Sequence, residues 1–176
     1  MCIRDSSKGT QADTLFWYDD IAIGINICED IWIENGPAEE QVKQGASLII
    51  NINASPYDIQ KNETRKEIVM KKALKLNVPI IYLNMVGGQD ELVFDGGSFV
   101  VDDLGEIIYQ ASSFQEEVFH LDIDLKIKKQ NDKSSLLIRP KTTKLKDIKS
   151  KPSMSENESI YSALKLGLLD LSLIHI

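Results

Sequence analysis

Ile21-Ala22-Ile23-Gly24-Ile25-Asn26-Ile27-Cys28, followed by Glu29-Asp30-Ile31-Trp32, is a short apolar run that ends on a thiol and two acids. Its β-branched residues mark it as a buried strand closed by a turn. Working outward, Pro37 with Glu39 and Glu40 opens a helix to about Gln44, because proline suits the first turn and acids its positive end. Gly45 ends that helix. Residues 47–53 read as a second buried strand and 79–84 as a third. Between them, residues 58–76 read as a long helix with Ile59, Ile68, Val69, Ala73 and Leu76 on one face and Lys, Arg and Glu on the other. Strand, helix, strand, helix, strand, with the strands apolar on both faces, points to a layered α/β sheet. Beyond Asn84 the pattern predicts antiparallel strands at 98–102, 107–111 and 118–123, the first two joined by the turn Asp102-Asp103-Leu104-Gly105. Residues 126–155 are rich in Lys, Ser and Pro and read as a connection between domains. Ser155-Glu156-Asn157-Glu158 then starts a helix carried on by Ile160, Ala163, Leu164 and Gly167. No internal repeat is visible.

The ends read differently. Met1-Cys2-Ile3-Arg4-Asp5-Ser6 can be encoded by a DNA whose reverse complement reads Leu-Ser-Leu-Ile-His and then Ile or Met, and the chain closes on Leu171-Ser172-Leu173-Ile174-His175-Ile176. One short DNA read in both directions explains both hexapeptides. It resembles the transposase adapter used to fragment sequencing libraries, so residues 1–6 and 171–176 are set aside. Cys2 and His175 go with them, leaving Cys28 and His120. A lone cysteine excludes an internal disulfide framework and a multi-cysteine metal site, and fits a reducing, cytoplasmic setting. The net charge is −7, yet Lys126–Lys151 holds ten Lys or Arg against Asp132 and Asp147. The remainder is therefore strongly acidic, which argues against nucleic acid as a partner. The basic run lacks aromatic interleaving and reads as a solvated connection. The apolar tail after Leu164 is too short and mixed to span a bilayer, so no membrane partner is expected.

Cys28 at the carboxyl end of a strand has the placement of a nucleophile on a sharp turn, where the next backbone N–H can face an oxyanion. Position alone favours a buried structural cysteine. The segment Gly24–Trp32 changes that, because it resembles the nucleophile segment of the nitrilase, or carbon–nitrogen hydrolase, superfamily. Its Cys-Glu-Asp-x-Trp form is similar to that of the glutaminase domains of glutamine-dependent NAD synthetases. Asn53-Ala54-Ser55-Pro56-Tyr57 follows at that family's spacing, and Asn84–Ser98 matches its longest signature almost throughout. The resemblance covers residues 17–125 and again 156–170.

It implies an α-β-β-α sandwich, of which residues 7–125 are the C-terminal part. It implies that Cys28 attacks the glutamine side-chain amide, passes through a γ-glutamyl thioester and releases ammonia, with the N–H of Glu29 holding the oxyanion. Ser55 and Lys61 align with positions that bind glutamine. Taken alone, Ser55 would be a cap before Pro56 and Lys61 a solvated helix residue. The Gly87–Ser98 loop would lie near the glutaminase pocket and the synthetase contact. It lacks the lysine and spacing of a phosphate loop, so no cofactor or metal site is expected in these residues. Trp32 is expected in the core, and His120 is expected to be structural on its strand.

The family's Glu and Lys lie upstream of the cysteine. Lys8 is the sole lysine before Cys28 and sits in no motif, and Glu29 is not the upstream base, so the chain as given is expected to be inactive. Residues 156–170 resemble the first helix of the ATP-dependent synthetase domain, whose pyrophosphate loop would follow. The full enzyme would use ATP and magnesium to amidate deamido-NAD and would form homo-oligomers. Uncovered sheet edges would make this piece poorly soluble or self-associating. Two other readings stay open. One is a different amidohydrolase of the superfamily with no synthetase attached, which a stop soon after residue 168 would favour. The other is a non-catalytic binding module, which an upstream segment without the Glu or Lys would favour.

Overall fold

The computed structural model describes residues 15–126 and 150–174. The expectations for the amino-terminal hexapeptide, Lys8, most of the 126–155 connection and the last two residues lie outside that range. In chain order the elements are β1 (Leu15–Tyr18), β2 (Ile21–Ile27), a 3-10 turn (Cys28–Trp32), α1 (Pro37–Lys43), β3 (Leu48–Asn53), α2 (Lys61–Leu76), β4 (Ile80–Asn84), β5 (Val86–Gln89), β6 (Leu92–Asp95), β7 (Phe99–Val101), β8 (Ile107–Gln110) and α3 (Glu156–Ile174). Six strands form one sheet in the order β1-β2-β3-β4-β7-β8, and β5 and β6 form a separate hairpin. Strands β2, β3 and β4 run parallel, and the outer strands are antiparallel.

The strand residues alternate between the two faces. Ala22, Asn26, Ile49, Asn51, Ile80 and Tyr82 are buried, and the core there includes Ala38 of α1, Val69 and Ala73 of α2, and Ile31 of the turn. On the opposite face, Ile27 pairs in register with Ile52 and Ile52 with Leu83. All three of these side chains are exposed. One row further in, Ile81 joins a second cluster of Val100, Tyr109 and Ala111, against which Phe119, Leu121 and Ile123 pack.

Three expectations change. Residues 118–123 alternate as anticipated but make no ladder. At Gln110 the backbone of β8 is engaged by the segment entering α3, through Ser150 Oγ at 3.2 Å and the Lys151 N–H at 3.0 Å. His120 is exposed beside that strip and lies on no strand. The second change is in α2, which starts at Lys61 and leaves Ile59 exposed. Its buried face carries Arg65, Lys66 and Lys72 as well as Val69 and Ala73. An apolar-stripe reading assigns such cations to solvent, but each has an acidic partner here. The third is that β1, β5 and β6 were not foreseen.

Two devices hold α1 and α2 against the nucleophile strand. Gln41 donates to the Ile25 carbonyl at 3.0 Å and accepts from Asn26 Nδ2 at 2.6 Å. That approach needs a residue without Cβ at 24, since a Cβ there would lie 2.4 Å from Gln41 Oε1 and 2.6 Å from Ile49 Cδ1. Lys72 Nζ donates to Glu39 Oε1 at 2.7 Å and to the Ile33 carbonyl at 2.7 Å, tying α2 to α1 and to the exit of the 3-10 turn.

Gly24→Ala should destabilise the fold by about 1–3 kcal/mol through overpacking, read from the urea midpoint; an unchanged midpoint would contradict the close approach. Glu39 gives a pH test. Burial raises its carboxyl, but the hydrogen bond and charge of Lys72, with Lys75, outweigh burial and leave it below the usual carboxylate range. A folded value below the unfolded one stabilises above the unfolded value of about 4.3, and that stability is lost as pH falls through the depressed value. Glu39→Gln should therefore flatten the acid limb of stability against pH, and an unaltered limb would count against the pair.

Candidate active site at the carboxyl ends of the parallel strands

Parallel pairing of β2, β3 and β4 brings Cys28, Ser55 and the end of β4 to one edge of the sheet, where sites of open α/β sheets gather. Cys28 takes φ of 49°, a left-handed conformation that non-glycine residues adopt at a cost and that is enriched at functional turns. The turn is held from several sides. Asp30 Oδ2 accepts the Ile27 N–H at 3.0 Å, and Asn51 Nδ2 donates to the Cys28 carbonyl at 3.3 Å. Ile31 is fully buried, and Trp32 packs against the same core. Cys28 is a free thiol of intermediate exposure. Glu29 turns its side chain to solvent, and as the second residue of the turn its N–H has no acceptor within the helix.

Ser55 lies in a buried polar knot. Its N–H donates to Asn84 Oδ1 at 2.8 Å, and its hydroxyl oxygen accepts from Arg65 Nε at 3.2 Å. Its carbonyl accepts from Arg65 Nη2 at 2.9 Å and from Asn84 Nδ2 at 3.3 Å. Arg65 also donates to the Pro56 carbonyl at 2.9 Å and forks onto Asp95 at 2.8 and 2.9 Å. The Arg65 and Asp95 side chains are 2% and 4% exposed. Ser55 is thus fixed in place, with its own O–H proton still available to donate. Lys61 stands one helical turn before Arg65 on the same face of α2, and among the described residues its ammonium has no hydrogen bond or ion pair.

Sequence reasoning missed Arg65, Asp95, Asn84 and Asn51. The i, i+4 spacing of Lys61 and Arg65 was the available signal for the first. Asp95 and Asn84 were inside a quoted motif but had no partner assigned. Tyr82 was missed too. It is 1% exposed and its ring stacks on Phe99 at 4.9 Å. Burial pushes its hydroxyl above the ordinary phenol value; Arg65 and Ser55 pull it back, and Cys28 and Asp95 push it up. The hydroxyl approaches Ser55 without reaching hydrogen-bond geometry.

The β5–β6 hairpin, read from sequence as a loop, receives α3. Asp170 accepts the Gly88 N–H, and Ser159 Oγ donates to the Tyr57 hydroxyl at 2.9 Å. A Cβ on Gly88 would meet the Gly167 Cα at 3.2 Å, so backbone lies against backbone there. Among the described residues no three acids, histidines or cysteines cluster to hold a metal, and no helix is long and apolar enough to cross a membrane.

Residues 6–129 match the carbon–nitrogen hydrolase family. The chain is 49% identical over 106 residues to the glutamine-dependent NAD(+) synthetase of Thermotoga maritima, covering 60% of this chain and 18% of that protein. It is 36% identical over 165 residues to the Synechocystis protein of the same name, covering 88% of this chain and 27% of that protein. Among solved structures, a glutamine-dependent NAD+ synthetase from Acinetobacter baumannii superposes with a TM-score of 0.75 at 32% identity, over 94% of this chain and 28% of that one. A Nesterenkonia amidase of the nitrilase superfamily shares the fold, with a TM-score of 0.55 at 21% identity. The nitrilase-like fold expected from the sequence is thereby shown, and the described residues supply a helical layer and a sheet layer of it. The chain spans less than a third of the length of either synthetase matched by sequence.

Removing one member of the buried pair should be costly. Arg65→Met leaves Asp95 uncompensated and should destabilise by about 3–5 kcal/mol in urea unfolding, whereas a loss under about 1 kcal/mol would show that the knot is solvated.

Proposed function

This chain belongs to the carbon–nitrogen hydrolase family, and from that premise we propose that it is glutaminase sequence of a glutamine-dependent NAD(+) synthetase. Cys28 is the nucleophile. Its thiolate attacks the side-chain carbonyl carbon of glutamine, the C–N bond breaks, the amine leaves with a proton as ammonia, and a γ-glutamyl thioester remains. Water then attacks the thioester, yielding glutamate and restoring the thiol. The Glu29 N–H donates to the tetrahedral oxyanion, and Ser55 and Lys61 receive the charged end of glutamine. The ammonia serves an ATP- and magnesium-dependent amidation of deamido-NAD by the synthetase domain, in a cytoplasmic homo-oligomer.

The observation that carries this reading is Cys28 itself, held at positive φ at the carboxyl end of a parallel strand in a chain similar to those synthetases. The free first-turn N–H beside it suits an oxyanion. Lys61, one turn from the residue that fixes Ser55, suits a carboxylate. The packing of α3 on the hairpin beside Tyr57 supports a path between the two activities.

The test uses the full reading frame that contains this chain. Cys28→Ser should abolish glutamine-dependent NAD formation and leave ammonia-dependent formation unchanged. If the variant keeps its glutamine-dependent rate, the assignment of Cys28 is wrong. If neither nitrogen source yields NAD even in the unsubstituted protein, a free-standing amidohydrolase becomes the better account.

A further inference from the structure

Asn51 is an amide where the run of β3 otherwise supplies apolar side chains. It follows Leu48-Ile49-Ile50, sits in register with Asn26 and Tyr82, and is fully buried. An amide in that position is costly unless both of its ends are engaged. Both are. Its Nδ2 donates to the Cys28 carbonyl at 3.3 Å, and its Oδ1 accepts from Asn53 Nδ2 at 2.7 Å. A carbonyl oxygen can only accept, so the end of Asn51 that faces Cys28 has to be the nitrogen.

Asn53 fixes that orientation. Its Nδ2 also donates to the Leu83 carbonyl at 2.9 Å and to the Asn51 carbonyl at 3.1 Å. Its own Oδ1 is buried and has no hydrogen-bond partner among the described residues. Turning the amide over would set that oxygen against three other oxygens. The fold therefore keeps one unpaired acceptor and holds the nitrogen where it is.

What these amides grip is one peptide unit. The Cys28 carbonyl and the Glu29 N–H share a plane and, with no cis peptide bond among the described residues, point in opposite directions. A carbonyl drawn towards β3 turns the Glu29 N–H away from the buried row. Charge couples the two ends as well. An N–H that donates to an oxyanion makes its own carbonyl more negative, and so a better acceptor for Asn51. The Asn51 bond is then stronger with the tetrahedral oxyanion present than before it forms, which is the condition for lowering a barrier.

We propose that Asn51 is a positioning residue for the reaction at Cys28, setting through the Cys28 carbonyl the direction and donor strength of the Glu29 N–H that meets the oxyanion. This deepens the reading of Cys28 given above and rests on it. No proton moves at Asn51, and no bond is made or broken there.

The experiment compares two reactions of one sulfur in the full reading frame. Acylation by p-nitrophenyl acetate forms a sulfur–carbon bond through a tetrahedral oxyanion and expels p-nitrophenolate, whose release is read above a Cys28→Ser control. Alkylation by iodoacetamide displaces iodide from a saturated carbon with no oxyanion, and is read by peptide-resolved mass spectrometry of Cys28. Asn51→Leu should lower the acylation rate about tenfold to a hundredfold, as misplacing an oxyanion donor does, and leave alkylation within about twofold. With glutamine, kcat should fall in the same proportion while KM holds. Val69→Ala thins the core under α2 without touching these amides, so it should lower the urea midpoint and leave both rates near those of the parent. If Asn51→Leu does not fold, Asn51→Ala removes the same donor without crowding. An unchanged acylation rate, an equal fall in both reactions, or the same split in Val69→Ala would overturn the proposal, as would a change in KM alone. Neither reagent requires glutamine to be the substrate, so a failed synthetase assignment and a failed role for Asn51 give different results.

Discussion

A guanidinium at 2% exposure is tolerable only if its donors are all engaged, and Arg65 meets that condition with five hydrogen bonds from one helix to two other segments. Two go to Asp95 on the hairpin, two to Ser55 after β3, and one to Pro56. Asn84, at the end of β4, closes the group by bonding Ser55, Asp95 and Gly96. The connections beyond β3 and β4 are therefore set by polar geometry, whereas the sheet itself is set largely by apolar rows. If the guanidinium moved, Ser55, the hairpin and the start of α2 would all have to move with it. That rigidity is the support a reacting group needs from residues that do not themselves react.

The sheet was legible because its rows are simple. Strands β2, β3 and β4 were located within a residue or two, since buried parallel strands announce themselves as short runs of isoleucine, and the Pro37 and Gly45 signals placed α1. A sharp turn at Cys28 was anticipated from its place after a strand, though not its left-handed conformation. What could not be read was anything that depends on partners distant in the chain. Lys72 looks like a solvated helix residue until Glu39 is seen beside it, 33 positions away. Arg65 needs Asp95, 30 positions on. Residues 118–123 show the converse. Their alternation was real and describes a packing face, but a strand also needs a free ladder, and the edge of β8 is engaged at Gln110. The β5–β6 hairpin escaped notice because its glycines and acids resemble a loop, and its need for glycine shows only when Gly167 of α3 lies against it.

The site divides into parts that motif reading reached and parts it did not. Cys28 and Ser55 were named from family likeness, and the structure places both at the same end of the parallel strands. Their support emerges only in the fold: Asn51 on the Cys28 carbonyl and Lys72 at the exit of the turn. Such residues act through backbone atoms and register, which no single-sequence pattern records.

Ile27 and Cys28 are consecutive, yet they belong to different neighbourhoods. Ile27 lies on the uncovered face of the sheet with its side chain 68% exposed, and Cys28 turns away from it through a left-handed residue. A single peptide unit thus joins a greasy outer surface to the thiol. Any body that settles on the Ile27–Ile52–Leu83 row meets the residue immediately before the nucleophile, whose N–H is held by Asp30, while Asn51 holds the Cys28 carbonyl. The row is therefore a lever with a very short arm. Contact there meets the nucleophile's own chain neighbour, with no relay of side chains in between.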